Sequence, residues 1–263
     1  MFKKITLSLT LLLLGAAVMA QNTIIRDQFS ADPSALVVGD RVYVFPSHDI
    51  PAPEDYPRKD WFCMRDYHVF SSENLTDWTD HGVILDQKDV PWGDPSAYSM
   101  WAPDCAVNKG KYYFFFPDFI KREGTGGNFI PFRVGVAVAD HPAGPYTPRE
   151  KPIEGVYGIG PCIFVDDDGQ GYLVWPSRGI NIAKLNDDWS ELAEKPTPVG
   201  NLPSPGLIEG PYLFKANGKY YMTFPWARGT SSTTITPIPL ISTRTVQHAP
   251  TVCTLKPTEA SAW

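Results

Sequence analysis

Four stretches of this 263-residue chain resemble one another, and their recurrence constrains the fold more than any other feature. They read DPSALVVGDRVYVFP from Asp32, APDCAVNKGKYYFFFP from Ala102, GPCIFVDDDGQGYLVWP from Gly160 and GPYLFKANGKYYMTFP from Gly210. Each opens on a small or acidic residue and a proline (Pro33, Pro103, Pro161, Pro211) and turns at a glycine (Gly39, Gly110, Gly169, Gly218). Each then returns through a Tyr-bearing strand to a second proline, seven residues after the glycine in every copy (Pro46, Pro117, Pro176, Pro225). The physics of one copy is a hairpin. Glycine supplies the positive φ of the turn, helped by polar neighbours such as Asp40, Asn108, Asp168 and Asn217. The return segments VYVF, YYFFF, YLVW and YYMTF are rich in β-branched and aromatic residues. They are apolar at nearly every position, which predicts strands buried on both faces between stacked sheets. The leading proline has no N–H for a ladder and belongs at a strand start.

The intervening segments are more polar: Tyr67 to Leu85, Val134 to Pro148 and Ile180 to Leu192. A buried hairpin with one or two such outer strands is a propeller blade, and copies beginning 50 to 70 residues apart suit blades with insertions. No stretch reads as a long amphipathic helix. The fold class expected is therefore all-β, a β-propeller with four inner hairpins visible; a β-sandwich is the alternative, but radial repetition accounts better for four copies. In a propeller the innermost strand of each blade begins near the central axis. The residues before the repeat prolines, Asp32, Ala102, Gly160 and Gly210, with Glu209 one residue earlier, are thus expected to converge on one pocket.

Charge narrows the partners. Lys and Arg number 23 against 29 Asp and Glu, a net charge of −6, which lacks the basic surface that nucleic acid requires. Aromatic residues make up 13% of the chain, with 8 Trp and 12 Tyr; they serve a β core, and their flat faces also suit the C–H faces of sugar rings. Residues 1–20 read as an export signal: Lys3 and Lys4, an apolar run from Leu7 to Val18, and Val18 and Ala20 before the cleavage point. The run is too short to span a membrane, so the product is expected to be exported, periplasmic or extracellular, without a membrane span. The four cysteines, Cys63, Cys105, Cys162 and Cys253, form no CxxC or Cys/His pattern, and they are read as free or opportunistically paired thiols. The five histidines, His48 and His68 among them, show no ligand spacing, so neither a metal nor a cofactor is expected. The GTGGN run at Gly124 to Asn128 lacks the strand-to-helix context of a phosphate loop.

Two facing carboxyl groups are what glycosidic hydrolysis requires: one protonates the leaving oxygen, the other activates water or attacks carbon. At this point motifs as well as chemistry guide the reading. ADPS at Ala31 to Ser34, WAPD at Trp101 to Asp104, IFVDDDGQGYLVW at Ile163 to Trp175 and IEGPYLF at Ile208 to Phe214, in this order and spacing, resemble glycoside hydrolase family 43 from about Ile24 to Trp226. That resemblance implies a five-bladed propeller and an inverting enzyme acting on arabinose- or xylose-containing plant polysaccharides, and in places on galactofuranosides. It assigns the general base to Asp32 and the general acid to Glu209, with carboxyls roughly 6.5–9.5 Å apart. Trp101 resembles a pocket-wall residue for sugar stacking, with core packing as the competing role.

Two departures stand out. The family's third acid, which orients the general acid and tunes its pKa, falls on Gly160, which has no carboxylate. The expected consequence is weak or absent hydrolysis with a pH optimum moved down, or a propeller that only binds carbohydrate. After Trp226 the chain turns Thr- and Pro-rich, hydrophobic alternation ends, and no fifth hairpin copy appears. The organisation expected is a signal at 1–20, an incomplete propeller at 21–226, and a tail at 227–263 outside the fold, from an out-of-frame or truncated gene or a Pro/Thr-rich linker.

Overall fold

A computed structural model describes residues 24–120, 132–203, 207–227, 233–235 and 238–240. All four predicted hairpins are present. Blade one is a sheet in the order β1 (Phe29–Val38), β2 (Arg41–Ile50), β3 (Cys63–Ser72), β4 (Thr79–Asp86). Blade two follows the same order with β5 (Asp104–Asn108), β6 (Lys111–Phe119), β7 (Phe132–Ala139) and β8 (Thr147–Pro148). Blade three consists of β9 (Cys162–Val165), β10 (Gly171–Pro176), β11 (Ile180–Lys184) and β12 (Thr197–Pro198). The fourth unit comprises β13 (Leu207–Ile208), β14 (Tyr212–Ala216), β15 (Lys219–Thr223), β16 (Pro225–Ala227), β17 (Thr233–Ile235) and β18 (Ile238–Leu240), in two three-stranded sheets, β14–β15–β18 and β13–β16–β17. The four turn glycines hold φ between 64° and 83°, the left-handed region in which a Cβ is costly.

Three buried clusters lie at three successive blade interfaces. Phe45, Tyr67 and Val69 of blade one meet Phe114 and Phe116 of blade two. Phe115 and Val136, on the opposite face of blade two, meet Leu173 and Trp175 of blade three. Cys162, Phe164 and Val174 then meet Leu213 and Met222 of the fourth unit. Alternate residues of β6 and β10 thus serve two different interfaces, which is why these strands carry no polar face. The return strand β15 departs from that expectation: of its five residues only Met222 is buried. Its other face, with Tyr221 stacked on Phe214, meets no further sheet among the described residues. The inner strands neighbour one another in the order β1, β5, β9, β14, as around a propeller axis.

Cys63, Cys105 and Cys162 are free, buried thiols; Cys253 and residues 1–20, expected from the sequence to be an export signal, lie outside the described residues. From the stretch after Trp226, β17 pairs with β16 and β18 with β15, and the rest of it lies outside the described residues. Among the described residues no helix is long and apolar enough to cross a membrane.

Candidate active site

The first and fourth inner strands are interrupted at the same point. Pairing of β1 with β2 passes from Ala31↔Ser47 to Ser34↔Phe45, so that Asp32 and Pro33 together oppose Pro46. Pairing of β13 with β16 ends at Ile208↔Trp226 and resumes between β14 and β15 at Tyr212↔Thr223, leaving Glu209, Gly210 and Pro211 in the gap. A proline cannot continue the ladder, and a bulge re-aims the side chain it carries. Asp32 and Gly210 take left-handed φ of 47° and 48°, and Gly160 takes 55° at the corresponding corner of blade three. Ala102 does not share this conformation. Three of the four pre-proline residues are therefore equivalent in backbone as well as in sequence. A short polar side chain tolerates this region better than most, which is how Asp32 occupies it.

The Asp32 corner is fastened from the neighbouring strand, where the buried Ser47 hydroxyl donates to the Ala31 carbonyl at 2.9 Å. Asp32 is exposed by surface area, yet the protein surrounding its carboxyl desolvates it enough to raise its pKa. Asp49, on β2, senses it: burial first, then the Asp32 charge, raises the Asp49 carboxyl, and His48 partly offsets this. Glu209 is exposed at its corner. A Cβ built on Gly160 would meet Gly210 Cα and N at 3.7 Å, ordinary contact distance. A side chain at 160 would thus lie against the Glu209–Gly210 corner, and space does not prevent one.

Trp101 stands at the entrance to β5, half-buried. Its carbonyl accepts from the buried Tyr67 hydroxyl at 2.6 Å, and its indole N–H donates to the Phe62 carbonyl at 3.3 Å. Its ring lies 5.8 Å from Trp61, 6.3 Å from Phe62 and 4.8 Å from Phe132, and the Arg58 guanidinium covers Trp61. Of the two roles weighed from the sequence, core packing is what the contacts show: Trp101 packs against the blade one–two core, and its ring also joins an aromatic cluster that includes the exposed Phe62. Trp61 and Phe62 sit in a loop outside the repeat, and the repeat therefore could not reveal them.

Asp104 of the WAPD segment is a third residue that the sequence alone did not single out. It is half-buried by surface area, but its carboxyl is enclosed by the inner strands and accepts from the N–H of Cys105 at 2.8 Å and of Ile163, at the start of β9, at 2.7 Å. Burial pushes its pKa up to about 6 despite these bonds. The Ser34 hydroxyl of β1 lies near enough to lower it slightly but makes no hydrogen bond. One carboxyl thereby touches three inner strands. Side chains of metal-ligating type also meet in blade one, where His48, Asp66 and His68 come together from two strands. No local spacing in the sequence could show this, because the sheet register creates the contact.

Comparison with known proteins gives a consistent answer. The family model for glycosyl hydrolases family 43 matches residues 20–246. A xylosidase/arabinosidase 43A of Humicola insolens is 35% identical over 250 residues, covering 76% of this chain and 73% of its own. A xylosidase/arabinosidase of Bacteroides ovatus is 32% identical over 240 residues, covering 74% and 70%. Among solved structures, a family 43 β-xylosidase/α-arabinofuranosidase from a compost microbial metagenome, in complex with xylotriose, superposes with a TM-score of 0.65. It is 33% identical, over 81% of this chain and 78% of that one.

Proposed function

The chain belongs to glycosyl hydrolases family 43 and is a glycosidase of the β-propeller type, and from that premise we propose an exported, inverting enzyme that releases xylose- or arabinose-type units from xylan or arabinoxylan chains. In this reading Asp32 is the general base that activates water, Glu209 is the general acid that protonates the leaving oxygen, and Trp101 stacks on the sugar. The observation that carries it is the shared bulge: the two carboxylates stand on matching interruptions of the first and fourth inner strands. The names of the relatives favour xylosides and arabinofuranosides over galactofuranosides as substrates. The N-terminal signal pattern supports export.

The experiment is hydrolysis of aryl β-xyloside, α-arabinofuranoside and galactofuranoside by the purified chain, with the anomer of the first product read by proton NMR. Turnover with an inverted anomer supports the assignment; a retained anomer overturns the mechanism. A second reading, carbohydrate binding without turnover, is favoured by Gly160, where the family's third carboxylate is missing. Xylo-oligosaccharide binding with no product from any of the three glycosides would establish it.

A further inference from the structure

On the face of blade one turned away from blade two, three strands bring two imidazoles and two carboxylates together. His48 comes from β2, Asp66 and His68 from β3, and Asp80 from β4. One ligand atom each from His48, Asp66 and His68 lies within 4.8 Å of the others. His48 Nδ1 stands 2.6 Å and His68 Nε2 3.8 Å from the same Asp66 oxygen. Ligand atoms around a tetrahedral zinc, with bonds near 2.0–2.1 Å, sit about 3.4 Å apart. The two separations straddle that value, so an ångström of side-chain adjustment suffices.

The outer partner of His68 fixes its chemistry. His68 Nδ1 lies 3.1 and 3.2 Å from the two Asp80 oxygens. A carboxylate only accepts, so Nδ1 carries the hydrogen and Nε2 keeps its lone pair. That lone pair is on the side of the ring that approaches Asp66 and His48. By the same rule His48 Nδ1 donates its hydrogen to that Asp66 oxygen at 2.6 Å, while the His68 acceptor facing it across 3.8 Å, too far for a direct hydrogen bond, leaves room for a cation that would displace the His48 proton. A carboxylate holding the far nitrogen of a histidine is also the arrangement that orients imidazoles at zinc. The group is reachable from solvent, with side-chain exposures of 22%, 8% and 15% for His48, Asp66 and His68.

We propose that His48, Asp66 and His68 bind a divalent cation of the zinc class, with Asp80 as the outer carboxylate that sets the His68 tautomer. Two imidazoles and one carboxylate suit zinc in preference to calcium or magnesium, which take all-oxygen shells. Water completes the coordination. The ion would tie β2 to β3 directly, and to β4 through Asp80, on a blade face that no described sheet covers. The site stands independently of the glycosidase reading.

The test uses the full chain stripped with a chelator and titrated with zinc chloride by calorimetry, with bound zinc counted by mass spectrometry. The expected result is one zinc per chain at micromolar affinity or tighter, weakened at least tenfold by His48→Ala and by His68→Ala. Asp80→Asn should weaken it about 10- to 100-fold without abolishing it. His141→Ala, on the opposite face of the blade beside Tyr43, should leave it unchanged. Cobalt substitution should show the intense visible bands of a four- or five-coordinate site. Circular dichroism checks the fold of each variant, and His68→Gln replaces any alanine variant that unfolds. Absence of zinc binding, or full affinity retained in the folded His68 variant, would mean a hydrogen-bonded imidazolium array only and overturn the proposal.

Discussion

Two carboxylates, Asp32 and Glu209, carry the proton transfers proposed for this chain, and one position, Gly160, lacks a carboxylate that would tune them. Asp32→Asn removes the base and Glu209→Gln the acid, and each is expected to lower kcat by about 100- to 10,000-fold while melting stays close to that of the parent. Steady-state rates on an aryl glycoside beside a thermal melt separate this from unfolding. A base works only when ionised, and desolvation raises the Asp32 pKa. The acid limb of the pH–rate profile should therefore lie above the ordinary aspartate range and vanish in Asp32→Asn. Gly160 is the third position. Its left-handed φ of 55° does not exclude aspartate, because Asp32 holds the same conformation at 47°. Gly160→Asp is therefore expected to fold, to place a carboxylate beside the Glu209 corner, and to raise kcat and move the pH optimum upward, since a neighbouring charge keeps an acid protonated longer. A profile identical to the parent's would show that another group already supplies that charge.

At the scale of strands, two desolvated carboxylates act as fasteners with a definite pH signature. Asp104 bridges inner strands, and Asp118 of β6, fully buried, accepts from Ser99 Oγ at 2.5 Å and from its neighbour's N–H at 2.8 Å. Its second oxygen has no partner among the described residues, and Gly93 leaves the space it occupies, since a Cβ there would lie 2.1 Å from it. Burial pushes Asp104 up to about 6 and Asp118 to about 7, from 3.8. A carboxyl raised in this way stabilises the fold in its protonated form. That contribution is complete below the unfolded value near 3.8 and is lost as pH rises through about 6 and about 7. Each unit of displacement is worth about 1.4 kcal/mol. The melting temperature should consequently fall across this window. Asp118→Asn, which cannot ionise, should flatten the upper part of the curve and Asp104→Asn the lower part, as read by calorimetry at a series of pH values.

Across the whole molecule, the three buried interfaces leave two outward faces. Blade one presents Val37, 69% exposed, together with Val83, and the fourth unit presents Tyr212, 58% exposed and stacked on Phe214. Apolar side chains on a sheet face without a neighbour favour association. The purified chain is expected to self-associate with rising concentration in sedimentation velocity runs, and Val37→Lys with Tyr212→Lys should shift it towards monomer. A parent that stays monomeric at every concentration would show that other parts of the chain cover these faces.

The four hairpins, their turns and the pre-proline corners were all legible in the sequence, because a turn glycine, a leading proline and doubly apolar strands act within about seven residues of one another. Asp32 and the gap at Gly160 stood out as candidates because they fall at one phase of that repeat, and Glu209 because it lies one residue before that phase. What depends on which strand lies beside which could not be found in this way. Asp104 reads as an ordinary surface acid until β9 covers it and Ile163 donates to it. Trp61 and Phe62 become a wall only because a loop outside the repeat folds back on Trp101. His48 and His68 show no ligand spacing in the chain, yet the pairing of β2 with β3 puts both against Asp66. Local backbone preferences set the elements of this protein, whereas register across strands, which no single segment encodes, decided which charges meet.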